Sequence, residues 1–138
     1  MNAAKSTDWK INAMPEKRTK ICLNRTFSPQ EIEHIRMGHI SVQMEDKWFI
    51  YWEDNYLHFH RSWTGDCIYI VHFEKEDENW KMIDAVVNRD PEQYLETSDE
   101  RDAETISRLI DSFLLRPTFH EAESVRIIKS TPKPAISG

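Results

Sequence analysis

Residues 56–73 read YLHFHRSWTGDCIYIVHF, and the way this stretch divides decides the fold. The segments YLHFHRS (56–62) and CIYIVHFEK (67–75) are rich in aromatic and β-branched residues. Between them lies WTGD, a glycine-containing link of hairpin length. They read as two antiparallel strands. KWFIYWE (47–53) stands just before them, separated by Asp54-Asn55, residues that tolerate positive φ in a two-residue turn. NWKMIDAVVNR (79–89) follows after the short polar link EDE. Four strands in sequence with short links make a meander.

KRTKICLNRTF (17–27), with Ile21 and Leu23 at period two, adds a candidate first strand. Ser28, Pro29 and Glu31 form a capping box with proline at the first helical position, and Gly38 supplies a stop. A short helix over 29–37 follows, with Ile32 and Ile35 facing inward. TSDE (97–100) is a second capping box. It opens a helix to about Leu115 whose apolar stripe is Ile106, Leu109, Ile110, Phe113 and Leu114, stopped by Pro117. The expected fold class is α+β: an antiparallel four- to five-stranded meander with one long C-terminal helix and one short N-terminal helix. Residues 1–16 are expected to be a loosely ordered N-terminal segment in which Trp9 and Ile11 can dock. Residues 17–117 form a single α+β domain. Residues 118–138 form a partly flexible C-terminal extension containing one candidate strand, SVRIIKS.

With 138 residues, 39% hydrophobic and 11% aromatic, the chain has material for one packed core and is unlike a disordered segment. The net charge of −6 argues against nonspecific DNA binding, which needs a basic surface. No apolar run approaches the ~20 residues of a membrane span. The two cysteines, Cys22 and Cys67, show no C-x-x-C spacing, and the first residues lack an apolar signal core. The expectation is a cytoplasmic protein without disulfides, membrane contact or cofactor.

Strand pairing assigns the faces. A two-residue turn at 54–55 puts Trp52 opposite Leu57, Ile50 opposite Phe59, and Trp48 opposite Arg61. A four-residue WTGD loop would put Arg61 opposite Ile68, Phe59 opposite Ile70, and Leu57 opposite His72. One face then collects Trp48, Ile50, Trp52, Leu57, Phe59, Ile68 and Ile70 as core under the long helix. The other collects Phe49, Tyr51, Tyr56, His58, His60, Ser62, Cys67, Tyr69, Val71 and Phe73. That second face is aromatic and histidine-bearing where a solvated sheet face would be charged. Either the first helix and the termini cover it, or it is an aromatic-walled groove.

His58 and His60 form an H-x-H pair pointing the same way, a spacing compatible with a metal, but no third ligand stands nearby and none is assigned. The loop RSWTGD (61–66) offers the Arg61 donor fork, the Ser62 and Thr64 hydroxyls, Trp63 as a stacking platform, and Gly65 to turn backbone amides toward an anion. Together these suit a nucleotide-like or anionic small ligand. The competing reading is a plain hairpin loop. Cys67 or Ser62 beside His60 suggests a nucleophile, but a buried structural cysteine accounts for Cys67 as well. His60 with Asp66 or Asp84 offers an acid–base pair that no spacing singles out. The runs EKEDE and ETSDERDAE read as solvated surface, the second also serving a helix N-terminus.

The hairpin with its flanks DKWFIYWEDN and VVNRDPEQY resembles a group of small uncharacterised bacterial proteins sharing an HRSWTGDCIY-type hairpin, over roughly residues 46–115. The resemblance implies no activity. The expected function is a small accessory protein that binds a small ligand or protein partner through Tyr51, His58, His60, Arg61, Ser62, Trp63, Thr64 and Tyr69. The alternatives are a nucleotide- or phosphoester-handling enzyme using Arg61 and His58/His60, and an inhibitor or immunity-type protein acting with its acidic surface.

Overall fold

The computed structural model describes residues 3–115. The expected strand SVRIIKS, the Pro117 stop and the C-terminal extension lie outside the described residues. The fold is α+β. In chain order it comprises β1 (Arg18–Phe27), α1 (Pro29–Met37), β2 (Trp48–Glu53), β3 (Tyr56–Arg61), β4 (Cys67–Glu76), β5 (Asn79–Asn88) and α2 (Asp99–Leu109). A wider π-helical turn, Ile110–Leu114, continues α2, so the expected run to Leu115 is α-helical only through Leu109.

The five strands form one antiparallel sheet in the order β1-β5-β4-β3-β2. The β2–β3 hairpin turns at Asp54 and Asn55, both at positive φ (53° and 71°), as a turn matched to strand twist requires. Its register is the expected one, with Trp48, Ile50 and Trp52 opposite Arg61, Phe59 and Leu57. Ser28 caps α1 through the reciprocal bonds of the capping box, and α1 crosses from the β1 edge of the sheet to the β2 edge. At its end Gly38 adopts φ 70°; a Cβ there would meet the Ile50 carbonyl oxygen at 2.3 Å. That close approach lets His39 exchange both backbone hydrogen bonds with Ile50 and so blunts the outer edge of β2.

The register of β3 with β4 differs from expectation. Phe59 pairs with Tyr69, Leu57 with Val71, and His60 with Cys67, leaving Ile68 as the extra residue of a bulge. Ile68 still packs into the core, but every residue beyond it changes face. Tyr69, Val71 and Phe73, expected beside the histidines, lie in the core. Ile70 and His72, expected on the core face, lie opposite His58 and Tyr56 on the other side.

Both helices cover the same face. Ile32 and Ile35 of α1, and Ile106, Leu109, Ile110 and Leu114 of α2 and its π turn, pack on Ile50, Leu57, Phe59, Val71, Phe73 and Val87. Complete burial of each such side chain contributes on the order of 1.5–3 kcal/mol. The second face is instead covered in part by the N-terminal segment: Ala4, Trp9 and Ile11 pack on Phe49 and Tyr51, with the Trp9 ring stacked on Phe49 at 5.8 Å.

One polar network is built into the core. Asp102, at 0% exposure, accepts hydrogen bonds from Arg89 and from the Tyr94 hydroxyl. Because the Tyr94 proton is given to Asp102, the Tyr69 hydroxyl is the donor in the Tyr69–Tyr94 contact. Burial pushes Tyr69 up to about 12. The network ties α2 and the 89–96 loop to the middle of the sheet. Asp102→Ala would take one acceptor from the partly buried Arg89 guanidinium, which keeps Asp99, and the carboxylate acceptor from the Tyr94 hydroxyl. It is expected to lower unfolding free energy by about 3 kcal/mol in a urea titration; a loss below about 1 kcal/mol would show that the network contributes little.

Candidate functional site

The residues singled out from sequence separate into three places. Arg61 and His60 are neighbours on β3 and therefore project to opposite faces. Arg61 lies on the helix-covered side, its guanidinium 4.5 Å from the centre of the Trp48 ring, a cation–π contact at the end of the sheet. Trp48 in turn stacks on Tyr69. Tyr69 is thus part of the core beneath Arg61, on the opposite side of the sheet from the histidines with which the sequence grouped it.

The 62–66 loop closes on itself. The Gly65 N–H donates to the Arg61 carbonyl, the Arg61 N–H to the Asp66 carbonyl, and the Asp66 N–H to Thr64 Oγ1. The Ser62 N–H donates to the Lys47 carbonyl, and the Ser62 hydroxyl to the Asp46 carbonyl. The amides of Arg61, Ser62, Gly65 and Asp66 are thus engaged within the protein. Gly65 does sit at φ +84°, and a Cβ there would meet the Lys10 carbonyl oxygen at 2.6 Å. Its carbonyl oxygen receives the Asn12 N–H and the His60 Nδ1–H, each at 2.9 Å. The loop's backbone is a clamp for the N-terminal segment, which Trp9 Nε1–H reinforces by donating to the Ser62 carbonyl.

What remains open beside the loop is a cleft of about 360 Å³ lined by Lys47, Arg61, Trp63, Thr64, Asp66 and the Glu92–Gln93 pair. Neither Lys47 nor Arg61 is engaged in an ion pair among the described residues. Trp63 is 67% exposed, its Nε1–H donating to the Met44 carbonyl so that the ring stands at the cleft rim. Lys47, Glu92 and Gln93 were not singled out from sequence. The only signal for Lys47 was its position at the foot of β2, beside the loop, and Glu92 and Gln93 lie in a loop that only the folded chain brings here.

The second face carries a separate cleft of about 430 Å³, between residues 11–14 and the side chains of Tyr51, His58, His60, Cys67 and Ile70. Tyr51 and His58 stack at 4.5 Å with planes 3° apart, and His60 lies 5.7 Å from Tyr51. Burial and the neighbouring His60 lower His58 to about 4. Burial also lowers His60, against the opposing pull of the Gly65 hydrogen bond and Asp66. Cys67 is buried, and that burial pushes its thiol up to about 12, so it stays protonated and is no nucleophile at neutral pH. Among the described residues no group of three histidine, cysteine or acidic side chains is placed to hold a metal ion. His72 is on this face but stacks on Tyr56 and lies 3.9 Å from Asp84, away from the cleft.

The depressed His58 value sets a pH dependence. Its folded-state value lies below the ordinary 6.5, so between about pH 6.5 and pH 4 the unfolded chain binds more protons than the folded one. This contribution is therefore complete above pH 6.5 and is lost as pH falls toward 4. With allowance for the ring's partial exposure, the loss is expected to be about 2 kcal/mol. His58→Phe keeps the stack on Tyr51 and removes the titration. Urea unfolding at about pH 7.5 and about pH 4.5 should show a smaller pH loss in the variant, and equal losses would mean that His58 titrates normally. Comparison of the chain with models of known protein families, with curated proteins and with solved structures finds no match in any of the three.

Proposed function

We propose that this chain is a small cytoplasmic bacterial accessory protein that binds an anionic, nucleotide-like small ligand in the cleft of Lys47, Arg61, Trp63 and Thr64. The observation that carries the reading is the state of Arg61. Its guanidinium is held in place by the Trp48 ring and pairs with no carboxylate among the described residues, yet it lines an open cleft beside Lys47. A planar donor fork fixed in this way suits a phosphate or carboxylate. Thr64 Oγ1 accepts from the Asp66 amide and keeps its own proton to donate. Trp63 offers an exposed ring for stacking at the rim.

The enzymatic alternative needs Arg61 and a histidine in one pocket, and their projection to opposite faces counts against it. The inhibitor alternative draws on the acidic run at the start of α2. Two of those carboxylates, Asp99 and Asp102, are engaged by Arg89, which leaves less of the run for a partner. A protein partner has one supporting feature: Val42 (80% exposed) and Met44 (72%) line a neighbouring depression that shares Trp63 with this cleft, an exposed apolar patch beside it.

The test is a melting-temperature and calorimetric screen with AMP, pyrophosphate and inorganic phosphate. AMP is expected to raise the melting temperature. Arg61→Ala and Lys47→Ala should each weaken binding about tenfold or more. Trp63→Ala should weaken AMP but not phosphate. A melting curve unmoved by all three compounds, or unchanged affinity in both cation variants, overturns the proposal.

A further inference from the structure

One residue lining the cleft under residues 11–14 carries a polar atom that the fold leaves unused. His60 is 2% exposed, and its Nε2 has no hydrogen-bond partner among the described residues. Because the carbonyl of Gly65 can only accept, the proton on the ring is at Nδ1, and Nε2 carries a bare lone pair. Native interiors seldom leave such an acceptor uncompensated, because its lost hydration is returned by nothing. His60 is one of the residues that line a cleft of about 430 Å³, within the size range of small-molecule sites, and Nε2 itself is covered in this conformation.

The rest of the wall specifies what would fit. None of the lining side chains carries a formal charge: the histidines are held neutral, the Cys67 thiol is protonated, and the Asn12 amide is already bonded to Thr64 and Asp66. The lining itself offers an anion no cation and a cation no carboxylate. The rings of Tyr51, His58 and His60 lie within 14° of one another, a set of near-parallel faces, and Ile70 and Met14 close the sides with apolar surface. The cover is untied by hydrogen bonds at one point. Ala13 and Met14 take part in no hydrogen bond among the described residues, whereas Asn12 beside them is pinned to Gly65.

We propose that this cleft binds a small, neutral, planar molecule bearing one hydroxyl or ring N–H, a phenol or an indole, which donates its proton to His60 Nε2. Ala13 and Met14 move outward to admit it. This site lies across the sheet from the Arg61 cleft and does not depend on the ligand proposed there.

Phenol and indole are the probes, with anisole and 1-methylindole as shape-matched controls that cannot donate. Binding is read by calorimetry and by the histidine ring-nitrogen signals in long-range proton–nitrogen NMR at about pH 7.5. Phenol and indole are expected to move the His60 Nε2 signal from the position of a free lone pair toward that of a hydrogen-bonded one. The methylated controls should bind about tenfold more weakly. His60→Phe preserves the packed ring and should erase the difference between phenol and anisole. Ile70→Trp, which fills the cleft while keeping His60, should abolish binding of both and guards against a His60 variant that fails to fold. Arg61→Ala should leave phenol binding unchanged. Three results overturn the proposal: an Nε2 signal unmoved by phenol or indole up to their solubility, equal affinity for anisole and phenol in the unaltered protein, or an Nε2 already bonded to a resident water that phenol does not displace.

Discussion

The extra residue at Ile68 is the constraint on which the arrangement of both clefts depends. The five residues Ser62–Asp66 link β3 to β4 through a turn tied by the Arg61 N–H to Asp66 and the Gly65 N–H to Arg61. That turn seats Cys67 opposite His60, whereas the pairing further along sets Tyr69 opposite Phe59. One residue has to be absorbed between those pairs, and a bulge is how an antiparallel ladder absorbs it. The large aromatics Tyr69 and Phe73 thereby go beneath the helices, and Ile70 and His72 go to the histidine side, where Cys67 lies on either parity. With the alternative parity, Tyr69 would stand opposite His60 and its ring would project to the side where the cleft between His58, His60 and residues 11–14 is now open. The bulge therefore both completes the core and leaves the cleft.

The buried carboxylate of Asp102 answers a second problem that the same pairing creates. Placing Tyr69 in the core buries a hydroxyl, and a buried hydroxyl needs a partner. Tyr94 supplies it, Asp102 supplies one to Tyr94, and Arg89 balances the charge of Asp102. Each member exists because the one before it is buried. The chain ends at the partly exposed Arg89–Asp99 pair near the start of α2, where solvent takes over. A network of this kind stabilises little relative to an apolar core of equal volume, but removing one member takes a partner from each of its neighbours.

Local rules carried much of the fold. The Asp54-Asn55 turn, the capping box at Ser28, the stripe from Ile106 to Leu114 and the boundaries of β1 all follow from turn, cap and periodicity arguments over a few residues. Even so, the second helix starts from Ser98 and not Thr97, and its last turn widens into a π turn. The β3–β4 register was not legible, because an alternation of Ile68, Ile70 and His72 against Tyr69, Val71 and Phe73 is apolar on either parity. Only the loop geometry breaks the tie, and that depends on Lys47 and on residues 10–12, far away in sequence. Asp102 looked like one acid among several at a helix start; its burial depends on Arg89 and Tyr94 arriving from another loop. The histidine face was recognised as unusual, and its cover was expected from the first helix and the termini or not at all; the N-terminal segment supplies it in part, through Ala4, Trp9 and Ile11, while α1 packs on the other face.

The two clefts share one mechanical element although the sheet separates them. Trp63 and Thr64, at the rim of the charged cleft, are carried by the same turn whose Gly65 carbonyl holds His60 Nδ1–H and the Asn12 N–H on the other side. The proton on His60 is thus placed by the loop, and the availability of Nε2 as an acceptor follows from the loop's conformation rather than from the histidine itself. A side chain at position 65 would act on both sides at once: it would press on the Lys10 carbonyl and oppose the positive φ that the turn needs. The requirement for glycine in WTGD is therefore structural in origin and functional in consequence. It comes from the packing of one backbone segment on another, and the same contact sets the tautomer in one cleft and the rim of the other.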